Sequence, residues 1–160
     1  FIISGIQQVG VGVKDADLAF EWYRKNLGLD IPVFKDAAIA NLMLPYTGGK
    51  PHERYAILAI NIQGGGGFEI WQYKSRTPVA ANFEILTGDL GINYPIIKAI
   101  DVNKAYQHLK QNGVELLSEP SNDPIGNPTF FMKDLYGNIF QIKKGLGWFK
   151  NNGDLFGGVG

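Results

Sequence analysis

A shift of 86 positions lays the second half of the chain over the first, taking Asp15 to Asp101, Ala19 to Ala105, Phe20 to Tyr106 and Gln8 to Tyr94. Self-similarity at a fixed offset constrains a fold more than any local propensity, because both copies must satisfy one supersecondary plan. Around each Asp the order reads strand, helix, three strands. The second copy is shorter, lacking the segment around 37–53. Neither half can bury its sheet face alone, so the two are expected to pair. The fold class is therefore α+β: two βαβββ modules forming one domain, with a curved mixed sheet around a cleft. The expected layout is module 1 over about 4–75, a linker over about 76–91, module 2 over about 92–145 and a tail over 146–160.

Residues 6–13 alternate, with Val9, Val11 and Val13 on one face and Gln8, Gly10 and Gly12 on the other. This is a half-buried strand whose second face is nearly bare. Asp15 can cap a helix over about 16–27, and Gly28 can end it in a left-handed conformation. Strands are expected at 31–36, 55–62 and 67–73, with a Gly64–Gly67 turn before the last. Pro45, Gly48, Gly49 and Pro51 punctuate 37–55, which reads as a strand or short helix followed by a loop. In the second half a strand at 92–100 precedes a helix over about 102–112 capped by Asp101. Strands at 114–118, 128–133 and 138–144 follow, the last two joined by the turn at 136–138.

Composition narrows the function classes. Lys plus Arg and Asp plus Glu number 15 each, which gives no electrostatic case for nucleic acid or an anionic membrane. No apolar run approaches the length of a membrane span, and no signal peptide is visible. Cysteine is absent, which removes disulfides, thiolate metal sites and a cysteine nucleophile, and fits a cytoplasmic protein. The chain begins at Phe1, so it reads as an excerpt of a longer one.

The stretch Gly67-Phe-Glu-Ile-Trp-Gln-Tyr73 carries the chemistry. Read with a period of two, Phe68 and Ile70 share one face; Glu69, Trp71 and Tyr73 share the other. A Glu on a strand is ordinarily wet or paired with a Lys. A carboxylate flanked by aromatics is more pointed, since rings supply stacking or apolar contact to a guest. The repeat places Val9, Val11, Val13, Phe68 and Ile70, with Ile97, Ala99, Phe140 and Ile142, under the helices. The opposite faces would surround a shared cleft lined by Gln8, Glu69, Tyr94 and Gln141.

With these stretches the sequence resembles the vicinal oxygen chelate superfamily, which includes glyoxalase I, bleomycin-resistance proteins, extradiol dioxygenases and methylmalonyl-CoA epimerases. The resemblance rests on Val9-Gly-Val-Gly-Val-Lys-Asp15, Phe20-Glu-Trp-Tyr-Arg24 with Leu27-Gly-Leu29, and Phe68-Glu-Ile-Trp-Gln72. Gly113-Val114 and Asp134-Leu-Tyr-Gly-Asn138 extend it across both halves. It implies four cleft-facing ligand positions, usually drawn from His, Gln and Glu, which fall on Gln8, Glu69, Tyr94 and Gln141. Glu69 matches and Gln8 is compatible, but Tyr94 stands where His is usual and Gln141 where Glu is usual.

Those departures have chemical weight. One carboxylate, two amides and a phenol of ordinary pKa about 10 are weak company for a divalent transition ion. No His occupies the four positions, which argues against extradiol dioxygenase chemistry. An isomerase of the glyoxalase type needs a carboxylate base beside a metal-polarised carbonyl, and Gln141 cannot be that base. Glu69 is then the one catalytic candidate.

Of the remaining candidates, His52 and His108 lie off the cleft strands, and Asp15 and Asp101 read as caps. The Gly64–Gly67 run leads into a strand, so it is a turn and not a phosphate cradle. Lys98 and Lys143 share the parity of Tyr94 and Gln141 and read as solvated strand ends. The tail holds Trp148, Phe149 and Phe156 among glycines. Two readings stay open. One is a binder of a small apolar or aromatic molecule at Gln8, Glu69, Trp71, Tyr73, Tyr94 and Gln141, without a conventional metal site. The other is a lactoylglutathione lyase-like or epimerase-like enzyme with a Zn, Ni or Co ion on the Gln/Glu/Tyr/Gln set. A homodimer, or a second module pair in a longer chain, is the expected macromolecular partner.

Overall fold

The computed structural model describes residues 5–86, 88–145 and 153–160. Module 1 runs β1 (Gln8–Gly12), α1 (Ala16–Leu27), β2 (Ile31–Ile39), a 3-10 helix (Asn41–Tyr46), β3 (Glu53–Ile60) and β4 (Gly67–Tyr73). Module 2 runs β5 (Ile96–Ala99), α2 (Val102–Gln111), β6 (Ser121–Asn122), β7 (Pro128–Lys133) and β8 (Ile139–Lys144), and a final strand β9 (Phe156–Val159) follows. The first sheet has the order β1-β4-β3-β2 and the second β6-β7-β8-β5-β9. Within each module the first and last strands are parallel neighbours, Val9 opposite Phe68 and Ile97 opposite Ile142. The duplicated βαβββ plan is thus present in both halves.

The helix ends follow their capping residues. Asp15 accepts from Leu18 N and Asp101 from Lys104 N, each tying down a backbone donor that the first turn leaves unpaired. Gly28 closes α1 at φ 64°, where a side chain would be strained. The buried stripe of α1 includes Ala19, Phe20, Tyr23 and Leu27, and that of α2 includes Ala105, Tyr106 and Leu109.

One core joins the modules. Phe68, Ile70, Ile97, Phe130, Phe140 and Ile142 are all fully buried in it with Tyr23. The rings of Phe68 and Phe140 sit 5.5 Å apart, and Tyr23 packs against both. Beside them the Tyr23 hydroxyl donates to Asp134, whose carboxylate also accepts from Tyr136 N, Asn138 N and Asn138 Nδ2. Burial and this neighbouring carboxylate push the Tyr23 phenol well above its ordinary pKa, so it stays a donor.

Three expectations change. Residues 114–118 form only a bridge at Leu116–Met132, since Ser118 Oγ takes up Phe131 N and Pro120 has no N–H to extend a ladder. The strand expected from 92 begins at Ile96, so Tyr94 precedes it. The tail contributes β9, antiparallel to β5, where Phe156 is buried; Trp148 and Phe149 lie outside the described residues. Gly64–Gly66 receives this strand, with Gly158 N donating to Gly64 O and Val159 N to Gly66 O.

Candidate functional site

The outer face of the first sheet is built by alternation on β4. Phe68 and Ile70 turn into the core, so Glu69, Trp71 and Tyr73 turn away from it and are half-buried. Across β3, Leu58 lies opposite Glu69, Ala56 opposite Trp71 and Arg54 opposite Tyr73. On the other side β1 offers Gln8, and Gln8 Nε2 donates to Glu69 Oε2 at 2.6 Å. Glu69 Oε1 has no hydrogen-bond partner among the described residues, which leaves it able to accept from a guest.

Beside Glu69 the face is bare. Gly10 and Gly12 have ordinary negative-φ backbone, and a Cβ at Gly12 would meet nothing within 4 Å. A Cβ at Gly10 would lie 3.9 Å from Glu69 Oε2, in ordinary contact. Neither backbone strain nor crowding demands glycine there. Their bareness leaves the carboxylate and the Trp71 ring open.

Next to this strip lies a cavity of about 320 Å³, lined by Gly12, Met43, Tyr46, Trp71, Tyr73 and Arg76. The Trp71 and Tyr73 rings meet edge to face at 6.0 Å. Arg54 lies over Trp71 and Arg76 over Tyr73, each 5.4 Å from the ring centroid. Arg54 is held by Asp36 at 2.7 Å. Met43, Tyr46 and both arginines were not singled out from the sequence. The 3-10 helix that supplies Met43 and Tyr46 has no usable periodicity, though Tyr46 beside Pro45 was a signal of an exposed aromatic.

Of the four positions expected to meet, Gln8 and Glu69 do. Gln141 belongs to the second sheet, and Tyr94 lies in the segment just before β5. Gln141 Nε2 donates to Thr129 Oγ1 at 2.9 Å, and Tyr94 packs edge-on against Phe131 at 5.1 Å. Phe131 pairs with Gln141 in register, and both turn away from the core that holds Phe130 and Phe140. Gln8 and Glu69 thus share one face of the first sheet, and Phe131 and Gln141 share one face of the second, each the face turned away from the buried core. Among the described residues no hydrogen bond or ring contact joins Gln8 or Glu69 to Tyr94 or Gln141.

This donor set does not fit a divalent ion. Gln8 and Gln141 donate through Nε2 and could offer only neutral amide oxygens, which leaves Glu69 as the one carboxylate of the set. Among the described residues there is no group of three or more His, Cys, Asp or Glu that could hold a metal. The histidines are engaged elsewhere, His52 Nδ1 with Ser75 Oγ and His108 Nε2 with Asn112. Lys143 pairs with Asp123 at 2.7 Å, and that ammonium, with the Asn127 and Ile125 N–H groups, holds the Asp123 carboxyl below its usual range.

The family model described as Glyoxalase/Bleomycin resistance protein/Dioxygenase superfamily matches residues 5–142. Among solved structures, a glyoxalase family protein from Bacillus cereus is similar with a TM-score of 0.72 at 14% identity, covering 92% of this chain and 97% of that one. A glyoxalase I mutant from Zea mays is similar with a TM-score of 0.60 at 16% identity; the match covers 89% of this chain and 46% of the maize chain. TioX from Micromonospora sp. ML1 is similar with a TM-score of 0.58 at 16% identity, covering 89% of this chain and all of its own. Identities this low speak for the fold alone. No curated protein matches the chain by sequence.

Proposed function

The chain belongs to the Glyoxalase/Bleomycin resistance protein/Dioxygenase superfamily, and from that premise we propose that it binds a small apolar or aromatic molecule on the outer face of its first sheet. The observation that carries this reading is the pair of glycines at 10 and 12. Glycine in a strand costs about 0.5 to 1 kcal/mol relative to alanine, and here neither φ nor space requires it. The cost is understandable if a ligand lies over β1, with its edge at Glu69 Oε1 and its flat part against Trp71 and Tyr73. A cavity of about 320 Å³ is at the lower end of the range of about 300 to 1,000 Å³ typical of small-molecule sites.

A binder is favoured over an isomerase because, among the described residues, Glu69 hydrogen-bonds to Gln8 and no group of three or more His, Cys, Asp or Glu could hold a metal to polarise a carbonyl. A base without an electrophile binds its substrate but does not lower the barrier to proton abstraction. A second copy of the chain is the proposed partner. β2 is exposed along its whole length, Ile31, Val33, Phe34 and Ile39 included. A copy laying its second sheet over this face would bring Tyr94 and Gln141 towards Gln8 and Glu69.

The experiment is metal analysis of protein purified without chelator, together with thermal shift against a panel of planar aromatic compounds. Stabilisation by ligand with no stoichiometric metal is the expected result. Stoichiometric Zn, Ni or Co that is lost in Glu69→Ala would overturn the reading in favour of a metal-dependent lyase or isomerase. Sedimentation at several protein concentrations reads the dimer.

A further inference from the structure

We propose that the crevice between the free edge of β1 and the β7–β8 hairpin is a second binding site, for a small apolar molecule that carries a secondary amide. The crevice encloses about 590 Å³, the size of a small-molecule site, and lies across β1 from the Glu69 face. Val9 to Gly12 form one wall, and Lys133, Asn138 and Ile139 the other. Its floor is the edge of the core, Phe68 and Phe140. Over its mouth stand Phe83, Ile85 and Ile92, apolar side chains 61 to 77% exposed to water. Apolar surface on both sides of a gap is stabilised by a guest that dries it.

The polar requirement is set by elimination. Lys133 is paired with Glu115 at 3.1 Å, Asn138 with Asp134, and Asn93 with Gly88 N and Asp89 O. Glu84 is exposed at the rim. On the β1 wall, which carries no polar side chain, what remains is backbone. Among the described residues β1 pairs with β4 alone, and Gln7 O and Val13 N are both directed at β4. Alternation then turns the N–H and C=O of Gly10 and Gly12 to the open edge. Strand edges are normally blunted by charge, proline or a bulge; between Gln8 and Val13 there is none of these. A donor and an acceptor on one strand edge are matched by the N–H and C=O of a secondary amide, as in strand addition.

The probe is N-acetyl-leucine methylamide, with its fully N-methylated counterpart as control, titrated into ¹⁵N-labelled full chain. Binding should move the Gly10 and Gly12 amide resonances, and the N-methylated compound should bind about tenfold more weakly, the worth of one or two net hydrogen bonds. Phe83→Asp with Ile92→Asp, both exposed and absent from the lining of the Trp71–Tyr73 cavity, should weaken the probe by about tenfold or more with the far-UV circular dichroism unchanged. Equal affinity of the two compounds, or unmoved glycine resonances, would overturn the proposal. So would shifts that follow protein concentration and not the probe, since a second copy would then occupy the edge.

Discussion

Asn112 Nδ2 donates to Asn26 Oδ1 at 3.1 Å, and the two asparagines are equivalent positions of the repeat, 86 residues apart. Equivalent residues meet only on a two-fold axis, so this bond marks where the pseudo-symmetry axis passes between the helices. Phe68 and Phe140, which occupy matching places in β4 and β8, meet on the same axis within the core. Both sheets therefore turn their inner faces to the shared core, and Glu69 and Gln141 occupy matching places on the faces turned away from it.

Breaking that bond should cost more than an exposed asparagine usually does. Asn26 is buried and its amide is already given to Trp22 O, so removal of Asn112 leaves a buried carbonyl without its donor. Asn112→Ala is expected to destabilise by about 1 to 2 kcal/mol. In a chemical denaturation series, Asn26→Ala together with Asn112→Ala should cost less than the sum of the single changes.

Gly10→Val separates binding from folding. The added Cβ is in ordinary contact, a β-branched shape suits a strand, and stability should hold or rise by about 0.5 to 1 kcal/mol. The same isopropyl group would cover Glu69 and abolish the thermal shift given by any aromatic ligand of the wild type. A variant that melts no lower and still binds would contradict the site.

Tyr23 sets an alkaline limit. Its folded pKa lies above the unfolded value of about 10, so the native state keeps a proton that the unfolded chain has lost. The associated stability is complete below pH about 10 and declines as pH rises beyond it. Tyr55 and Tyr136 are raised as well, by desolvation first, and add in the same direction. Tyr23→Phe should cost about 1 to 3 kcal/mol at neutral pH, because Asp134 loses a donor, and should flatten the decline above pH 10 in urea melts.

How far the sequence could be read depends on which interactions are local. Caps at Asp15 and Asp101, the helical stripes and the two faces of β4 follow from spacing within a dozen residues, and the offset of 86 could be found without any structure. Alternation tells which side chains share a face, but it is silent on which faces meet. That choice was made by Tyr23, Phe68 and Phe140, whose packing draws the inner faces together. Met43 and Tyr46 reach the cavity by way of a 3-10 helix interrupted by Pro45, a segment with no period to read. The strand Phe156-Gly-Gly-Val159 has little propensity of its own and exists because Gly65 and Gly66, some ninety positions earlier, are bare enough to receive it.

That last contact makes a sharp prediction. A Cβ on Gly158 would lie 2.5 Å from Gly66 O, and one on Gly65 would lie 2.7 Å from Val159 O. Both obstacles are backbone atoms that cannot swing aside as a side chain would. Nearby, Gln63 is fully buried, and its amide donates to Asp154 O and Phe156 O, so the turn and the tail are locked from two directions. Gly158→Ala should therefore expel β9 from the edge of β5 and cost about 1 to 3 kcal/mol, whereas Gly137→Ala, with open space but φ 85°, should cost about 1 kcal/mol from backbone strain alone. Hydrogen exchange distinguishes the two outcomes. In Gly158→Ala the amides of Ile100 and Val159, which bond Leu155 O and Gly66 O, should lose protection before the rest of the second sheet. Retained protection at both would show that the tail is held by Phe156 burial and not by the glycine contact.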